Sequence, residues 1–274
     1  MFYSIVNRSE FLKTPERRID ADYFSPESLE FERLIEKGSF SRLGILCKRI
    51  TDFGAYSQMN FVEYQKSGYA KFIRNQDVNG VSIESDSPIF ITEEVYHKLS
   101  LHLESDDIVV QRTGTIGKGA IIQNKDLPAT ANQNLAQLKP DTTKIDPYYL
   151  IAFFNTKYGI KSFTRLQTGN VQPWLNLRQI SGINVPLLSE NHQLQIGELV
   201  KESLYKNQLS KDLYTQATQL LEDALGLNNI EFKKEKSYTA SFSEVVNRNR
   251  FDGEHFQPKY IQIKELIRNY ADGW

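Results

Sequence analysis

A single cysteine, Cys47, and four scattered histidines, His97, His102, His192 and His255, set the first limits on this 274-residue chain. One thiol cannot close an internal disulfide, and none of the histidines stands at the cysteine or carboxylate spacing of a structural zinc site, so no metal is expected. No run of about 18 apolar residues is present, so nothing is expected to span a membrane. The opening MFYSIVNRSEF lacks the basic-then-apolar layout of a secretion signal, which makes the cytoplasm the expected compartment. Net charge is missing too: 33 Lys and Arg oppose 34 Asp and Glu. There is no global basic field, and any polyanion would have to meet a local face.

Motifs for catalysis are equally scarce. No Ser/His/Asp or Cys/His arrangement has a motif context. The turn Arg112-Thr113-Gly114-Thr115-Ile116-Gly117-Lys118-Gly119 has two residues between its first glycine and Gly-Lys, and no Ser or Thr afterwards. A P-loop needs four and the hydroxyl, so this is not one. Asp146-Pro147-Tyr148-Tyr149 lacks the second proline of the Asp-Pro-Pro-Tyr loop of adenine methyltransferases and has no glycine-rich cofactor loop beside it. A helix start with Asp as cap and Pro in the first turn explains it better. Pro140-Asp141 and Glu231-Phe232-Lys233 would make a nuclease motif only across a long intervening helix. The chain is therefore expected to be non-catalytic and to carry no cofactor.

What is present is organised around Ser189 to Leu227, a stretch with no proline that reads as one helix. Ser189 can cap it, Glu190 sits where the helix dipole favours an anion, and Gly226 can stop it. Leu213, Ala217, Leu220, Leu221 and Ala224 recur at helical spacing and form one apolar stripe that needs a partner. Ile196, Leu199, Val200 and Leu204 begin another stripe, interrupted by Ser203, Lys206 and Ser210 where a continuous coiled-coil seam would stay apolar. Packing on the helix's own domain is the plain alternative.

A repeat frames this helix. Arg18-Ile19-Asp20-Ala21-Asp22-Tyr23-Phe24-Ser25-Pro26 returns as Arg250-Phe251-Asp252-Gly253-Glu254-His255-Phe256-Gln257-Pro258, with Arg, Asp, Phe and Pro in phase. The offset also places Leu34-Ile35 on Leu266-Ile267. It is far longer than a solenoid period, so the repeating unit is a whole module. Three parts follow: residues 1–188 as a globular domain with a helical flank, 189–227 as the long helix, and 228–274 as the opening of a second repeat.

Within the first part, Ser25-Pro26 starts a helix running to Gly38. Strands are expected at Tyr69 to Arg74, Pro88 to Ile91, Asp107 to Arg112, Gly119 to Gln123 and Asn134 to Lys139. A brief helix opens at Thr92, another at Asp146-Pro147, and Gly182 to Pro186 leads into the long helix. Short strands mixed with helices without strict alternation define an α+β class with a mixed sheet.

Between Ile108 and Leu188, nine Lys and Arg face three Asp, a local excess compatible with a polyanion or with an ordinary solvated surface. Amide-rich segments stand nearby. Asn and Gln present a donor beside an acceptor, which suits the exposed edge of adenine, while Arg suits guanine. The candidate nucleic-acid residues are Arg74, Asn75, Gln76, Arg112, Thr113, Lys118, Asn132, Gln133, Asn134, Arg165, Gln167, Asn170 and Gln172. Arg112, Lys118 and Arg165 are the phosphate candidates, and the loops near Asn75, Asn132 to Asn134 and Gln167 to Gln172 the base readers. Each of these residue types also fills plain turns.

Taken in order, the opening Arg-Ile-Asp-Ala-Asp-Tyr-Phe-x-Pro, Asp107-Ile-Val-Val-x-Arg-x-Gly114, Pro147-Tyr-Tyr-Leu150, Gly169…Leu175-Asn-Leu177 and Ile183-Asn-Val-Pro-Leu187 resemble the specificity (S) subunits of Type I restriction-modification systems, in a half-length form. The resemblance implies a target recognition domain followed by a helical spacer, and no catalysis on the subunit itself. Double-stranded DNA, methyltransferase (M) subunits and a restriction (R) subunit are the implied partners; S-adenosylmethionine, ATP and magnesium belong to those partner subunits. Leu199, Leu213, Ala217, Leu220, Leu221 and Ala224 are expected to pair antiparallel with the same helix of a second copy. At about 1.5 Å per residue the rod is on the order of 55 Å, enough to span half-sites about 34 Å apart and read a bipartite target. The alternative is a protein-interaction scaffold whose helix assembles a complex without sequence readout.

Overall fold

A computed structural model describes residues 5–14, 18–54, 60, 62–169, 171–229 and 237–268. The chain opens with α1 (Arg8–Lys13) and α2 (Pro26–Glu36), then β1 (Phe40–Arg42), α3 (Leu43–Leu46) and β2 (Cys47–Asp52). Next come β3 (Ala70–Ile73), the hairpin β4 (Val78–Asn79) and β5 (Ser82–Ile83), β6 (Phe90–Ile91) and α4 (Glu93–Lys98). The strands β7 (Ile108–Gln111), β8 (Gly119–Ile121), β9 (Ala129–Ala131) and β10 (Leu135–Pro140) precede α5 (Pro147–Phe154), α6 (Lys157–Thr164), α7 (Leu177–Ser181) and β11 (Asn184–Pro186). The long helix α8 (Glu190–Ala224) is followed by α9 (Phe242–Arg248) and α10 (Pro258–Arg268). The class is α+β.

The chain divides into two compact units, residues 1–204 and 205–274. In the first, an antiparallel sheet runs β2-β10-β7-β8, and a second sheet runs β6-β3-β9 with β3 and β9 parallel. Alternation along the central strands explains how one sheet serves two cores. Ile108, Val110, Ile121, Ala136 and Leu138 point to the side covered by α5, α6 and α7, while Val109, Ala120 and Leu135 point to the β3 side with Phe53, Phe72 and Ile91. Strands buried on both faces read as continuous apolar runs, which is why Ile108-Val109-Val110 shows no polar alternation. Each fully buried Ile or Leu contributes roughly 1.5–3 kcal/mol.

Gln137 and Asp107 are among the polar residues buried on the β3 side. The Gln137 amide donates to the buried Asp107 carboxylate and to the His102 carbonyl, and the Glu104 N–H donates to Asp107 at 2.8 Å. Burial still holds the Asp107 carboxyl above its ordinary range.

Helix starts follow the expected chemistry. Ser25 accepts from the Ser28 N–H with Pro26 in the first turn, Thr92 accepts from Val95, and Asp146 accepts from Tyr149 at 2.7 Å with Pro147 next. At α8, the Ser189 hydroxyl accepts from the His192 N–H, and Gly226 beyond the last turn has φ +66.

The first compact unit includes residues 189–204, because the first part of α8 packs on it. Gln193, Gly197 and Leu204 are buried, and Ile196 and Val200 lie against the helix-side core. Gly197 allows the close approach: a Cβ there would sit 2.5 Å from Asp146 Oδ1. The Gln193 side chain completes the joint, donating to the Leu188 carbonyl at 2.9 Å and accepting from the Asp146 N–H at 3.5 Å.

Candidate nucleic-acid interface

Four loops far apart in sequence meet beyond the C-terminal ends of β3 and β7 and the N-terminal end of β10. After β3, the Arg74 N–H and guanidinium both donate to the buried Asp77, at 2.8 Å from the N–H and 3.0 and 2.9 Å from Nε and Nη2. Arg74 Nη2 also reaches the Ser87 carbonyl at 2.9 Å. This pins a short 3-10 turn, Asn75–Asp77. Asn75 Nδ2 donates to the Thr113 carbonyl at 3.0 Å, and Gln111 Nε2 donates to the Asn75 carbonyl at 2.7 Å. The Arg112 N–H donates to the Asn134 carbonyl, and the Gly114 N–H to the Pro173 carbonyl.

The turn between β7 and β8 needs φ values of +78 at Gly114 and +93 at Gly117, where side chains are strained. Thr168 and Trp174 exchange both backbone hydrogen bonds, at 3.0 and 2.8 Å, closing the last loop. Val171, Gln172 and half-exposed Trp174 stand out from it.

The first three of these loops line a cleft of about 340 Å³ with Arg74, Asn75, Gln76, Asn132, Asn134 and, beyond the expected set, Gln111 and Thr115, and Tyr64 completes its wall. Gln76 is exposed, with its amide oxygen turned to accept from the Arg74 guanidinium at 3.1 and 3.3 Å. Asn75 Oδ1, Gln111 Oε1 and Gln133 Oε1 are buried without a hydrogen-bond partner among the described residues. Unsatisfied buried acceptors are uncommon and call for an explanation at the site where they gather. Gln111 was legible in retrospect as the one amide at the end of an apolar strand; Tyr64 carried no signal.

The cationic expectation changes in detail. Arg112 lies behind the cleft, its Nη1 on Asp52 and its Nε on the Leu175 carbonyl at 3.0 Å. Arg165, 9% exposed, donates from Nε to the Tyr23 carbonyl at 2.7 Å, pairs with Glu32 at 2.8 Å and lies 4.1 Å over the Tyr23 ring. Both guanidiniums tie the fold together instead of standing open for phosphate. Lys139 and Lys161 pair with Glu104 and Glu27, so acids from outside the basic window balance much of it. Lys118 at the turn and Arg178 are exposed and have no ion pair among the described residues. Thr113 serves through its backbone, and Gln167 lies at the foot of the last loop, half-buried. Asn170 lies outside the described residues.

Along α8, Leu199 is exposed in the first unit. In the second, Leu213 (54% exposed), Leu220 (72%) and Leu221 lie open with Ala217 and Ala224. Among the described residues no helix is long and apolar enough to cross a membrane, and no group of three or more His, Cys, Asp or Glu is placed to hold a metal.

The chain belongs to the family of the Type I restriction modification DNA specificity domain, whose model matches residues 43–219. Among solved structures, it is similar to a chain of a type I R-M system assembly (15% identity, 72% of this chain and 48% of that one, TM-score 0.42). It is also similar to the HsdS subunit from Thermoanaerobacter tengcongensis (14%, 68% and 46%, 0.42) and to a Type-I restriction-modification system S subunit from M. genitalium (12%, 70% and 42%, 0.40). The chain thus spans about half the length of the solved structures it matches. No curated protein matches it.

Proposed function

We propose that this chain reads a DNA sequence for a Type I restriction-modification assembly, with base contacts from the amide-lined cleft and chemistry supplied by partner subunits. The observation that carries the reading is the convergence of Asn75, Gln76, Asn132 and Asn134, drawn from separate segments, on one cleft. Each amide can offer a donor and an acceptor together, the pairing that a base edge requires. Lys118 supplies the phosphate contact in place of Arg112 and Arg165. With five of the nine cations between Ile108 and Leu188 paired to acids, the isolated chain binds nonspecific DNA weakly and gains affinity within the complex.

The second element is the exposed stripe of α8. At 35 residues the helix is roughly 52 Å long. A second copy laid antiparallel covers Leu213, Ala217, Leu220, Leu221 and Ala224, since a two-fold interface is self-complementary. Two heads would then sit over half-sites of a bipartite target, and methyltransferase and restriction subunits would bring S-adenosylmethionine, ATP and magnesium in the cytoplasm.

The test is sequence selection from a randomised duplex pool by the chain together with its methyltransferase partner, followed by Gln76→Ala and Asn134→Ala. A change in base preference of about 5- to 100-fold at one position, equivalent to about 1–3 kcal/mol of discrimination, is expected. Binding with no enriched sequence would favour a scaffold that assembles a complex without readout.

A further inference from the structure

A side-chain amide starts with a donor group and an acceptor, and in Asn75, Gln76, Gln111 and Asn132 the fold has already engaged one of the two. Asn75 Nδ2 donates to the Thr113 carbonyl at 3.0 Å, and Gln111 Nε2 to the Asn75 and Val78 carbonyls at 2.7 and 3.3 Å. Their donors are used, and the oxygens left over are buried.

The other two amides are turned the opposite way. Gln76 gives its oxygen to the Arg74 guanidinium at 3.1 and 3.3 Å, and Asn132 Oδ1 accepts from the Asn134 N–H at 3.1 Å. Gln76 is exposed and Asn132 half-buried, and among the described residues neither Gln76 Nε2 nor Asn132 Nδ2 has a partner. Both residues line the same cleft. An arriving base therefore meets two NH2 donors whose own oxygens are held back.

Arg74, the residue type best suited to guanine, is engaged elsewhere. Its Nε and Nη2 bond Asp77 at 3.0 and 2.9 Å, and its Nη1 and Nη2 face the Gln76 oxygen. Asp77 is 3% exposed, so this pair is a fixed part of the turn.

We propose that the cleft selects guanine, approached from the major groove, through Gln76 Nε2 and Asn132 Nδ2. Guanine is the base that shows two acceptors there, N7 and O6. Adenine sets its N6 amino group and cytosine its N4 amino group against an NH2 donor, and thymine offers O4 alone. Two donors brought face to face are both left unpaired, which costs more than a contact merely absent and so acts against the wrong base. The hydrogen bonds inside the protein thus reverse the expectation from residue type, which assigns adenine to amides and guanine to arginine. The inference rests on the DNA reading proposed above and names the base that it takes.

The test starts from duplexes carrying the sequence that the full chain, with its methyltransferase partner, enriches from a randomised pool. Each guanine is replaced in turn by 7-deazaguanine, which lacks the N7 acceptor, and by hypoxanthine, which keeps both major-groove acceptors and lacks the minor-groove amino group. At one position 7-deazaguanine should weaken binding by roughly tenfold and hypoxanthine by less than about twofold. Gln76→Glu and Asn132→Asp each exchange an NH2 for an oxygen at nearly constant shape, and either should move the preference at that position toward cytosine or adenine, whose amino group the oxygen accepts. An enriched sequence without guanine, or one in which every guanine tolerates 7-deazaguanine, would overturn the proposal and leave the DNA reading standing. So would a guanine preference unmoved by both variants, or a loss with hypoxanthine as large as with 7-deazaguanine, which would put the contact in the minor groove. A pool from which no sequence is enriched would overturn the two together.

Discussion

The two portions of α8 follow the same helical geometry to opposite ends. Up to Leu204 the helix is seated on the recognition unit through Gln193, Gly197 and Leu204. Beyond it, Leu213, Leu220 and Leu221 lie open to solvent. Sequence period alone treats both as amphipathic, yet the difference follows from side-chain size and kind. The seated part uses a glycine and an amide, because it meets the polar N-terminus of α5 at close range; the open part presents bulky aliphatic side chains, which gain free energy only when water is excluded. Amphipathic spacing thus locates a face, and the size of the residues on it says how near a neighbour comes.

The comparison is broken most sharply by charging the open stripe. Leu213→Lys with Leu220→Lys and Leu221→Lys should leave unfolding within about 0.5 kcal/mol per site, as for exposed positions, while self-association weakens by two or more orders of magnitude if each leucine contributes about 1–2 kcal/mol. Sedimentation equilibrium measures it, and unchanged association would show that the stripe is not the seam. On the seated part, Gly197→Leu should destabilise the first unit by about 3 kcal/mol through collision with Asp146, seen as a lower urea midpoint. A wild-type midpoint would mean that the helix does not press on α5.

Arg165→Ala should cost about 2 kcal/mol of stability, discounted because Glu32 is about a third exposed, with the salt slope of DNA binding unchanged. Lys118→Ala should do the reverse, lowering that slope by about one without moving the unfolding midpoint. The smallest effect concerns pH. The folded Asp107 carboxyl titrates above its unfolded value, so the contribution of its protonated form is complete below the unfolded pKa and is lost as pH rises through the folded one. Asp107→Asn should remove that portion of the acid-side stability profile, and an unaltered profile would place the titration elsewhere.

The long helix, its Ser189 cap and Gly226 stop, the paired strands β7 and β8, and the repeat at Arg18 and Arg250 were all legible because each depends on local chemistry. The loops of the cleft were legible as amide-rich turns, and the structure brings Asn75, Gln76, Asn132 and Asn134 together. The roles of Arg112 and Arg165 were not, since their partners Asp52, Tyr23 and Glu32 lie 60 to 142 residues away in sequence. Charge counted along a window cannot register acids that fold in from outside it. The close seating of the start of α8 was not legible for a related reason: Gly197 looks like a weak point in a helix until Asp146 is placed against it.

Asp77 has one more consequence. By gripping both the backbone and the side chain of Arg74, it pins the short turn that carries Asn75 and Gln76 before any ligand arrives. Chain entropy at that corner is lost once, during folding, and does not have to be lost again on encounter. On the proposed DNA reading, a corner set in advance samples many sequences quickly and releases the wrong ones, since little rearrangement stands between contact and departure.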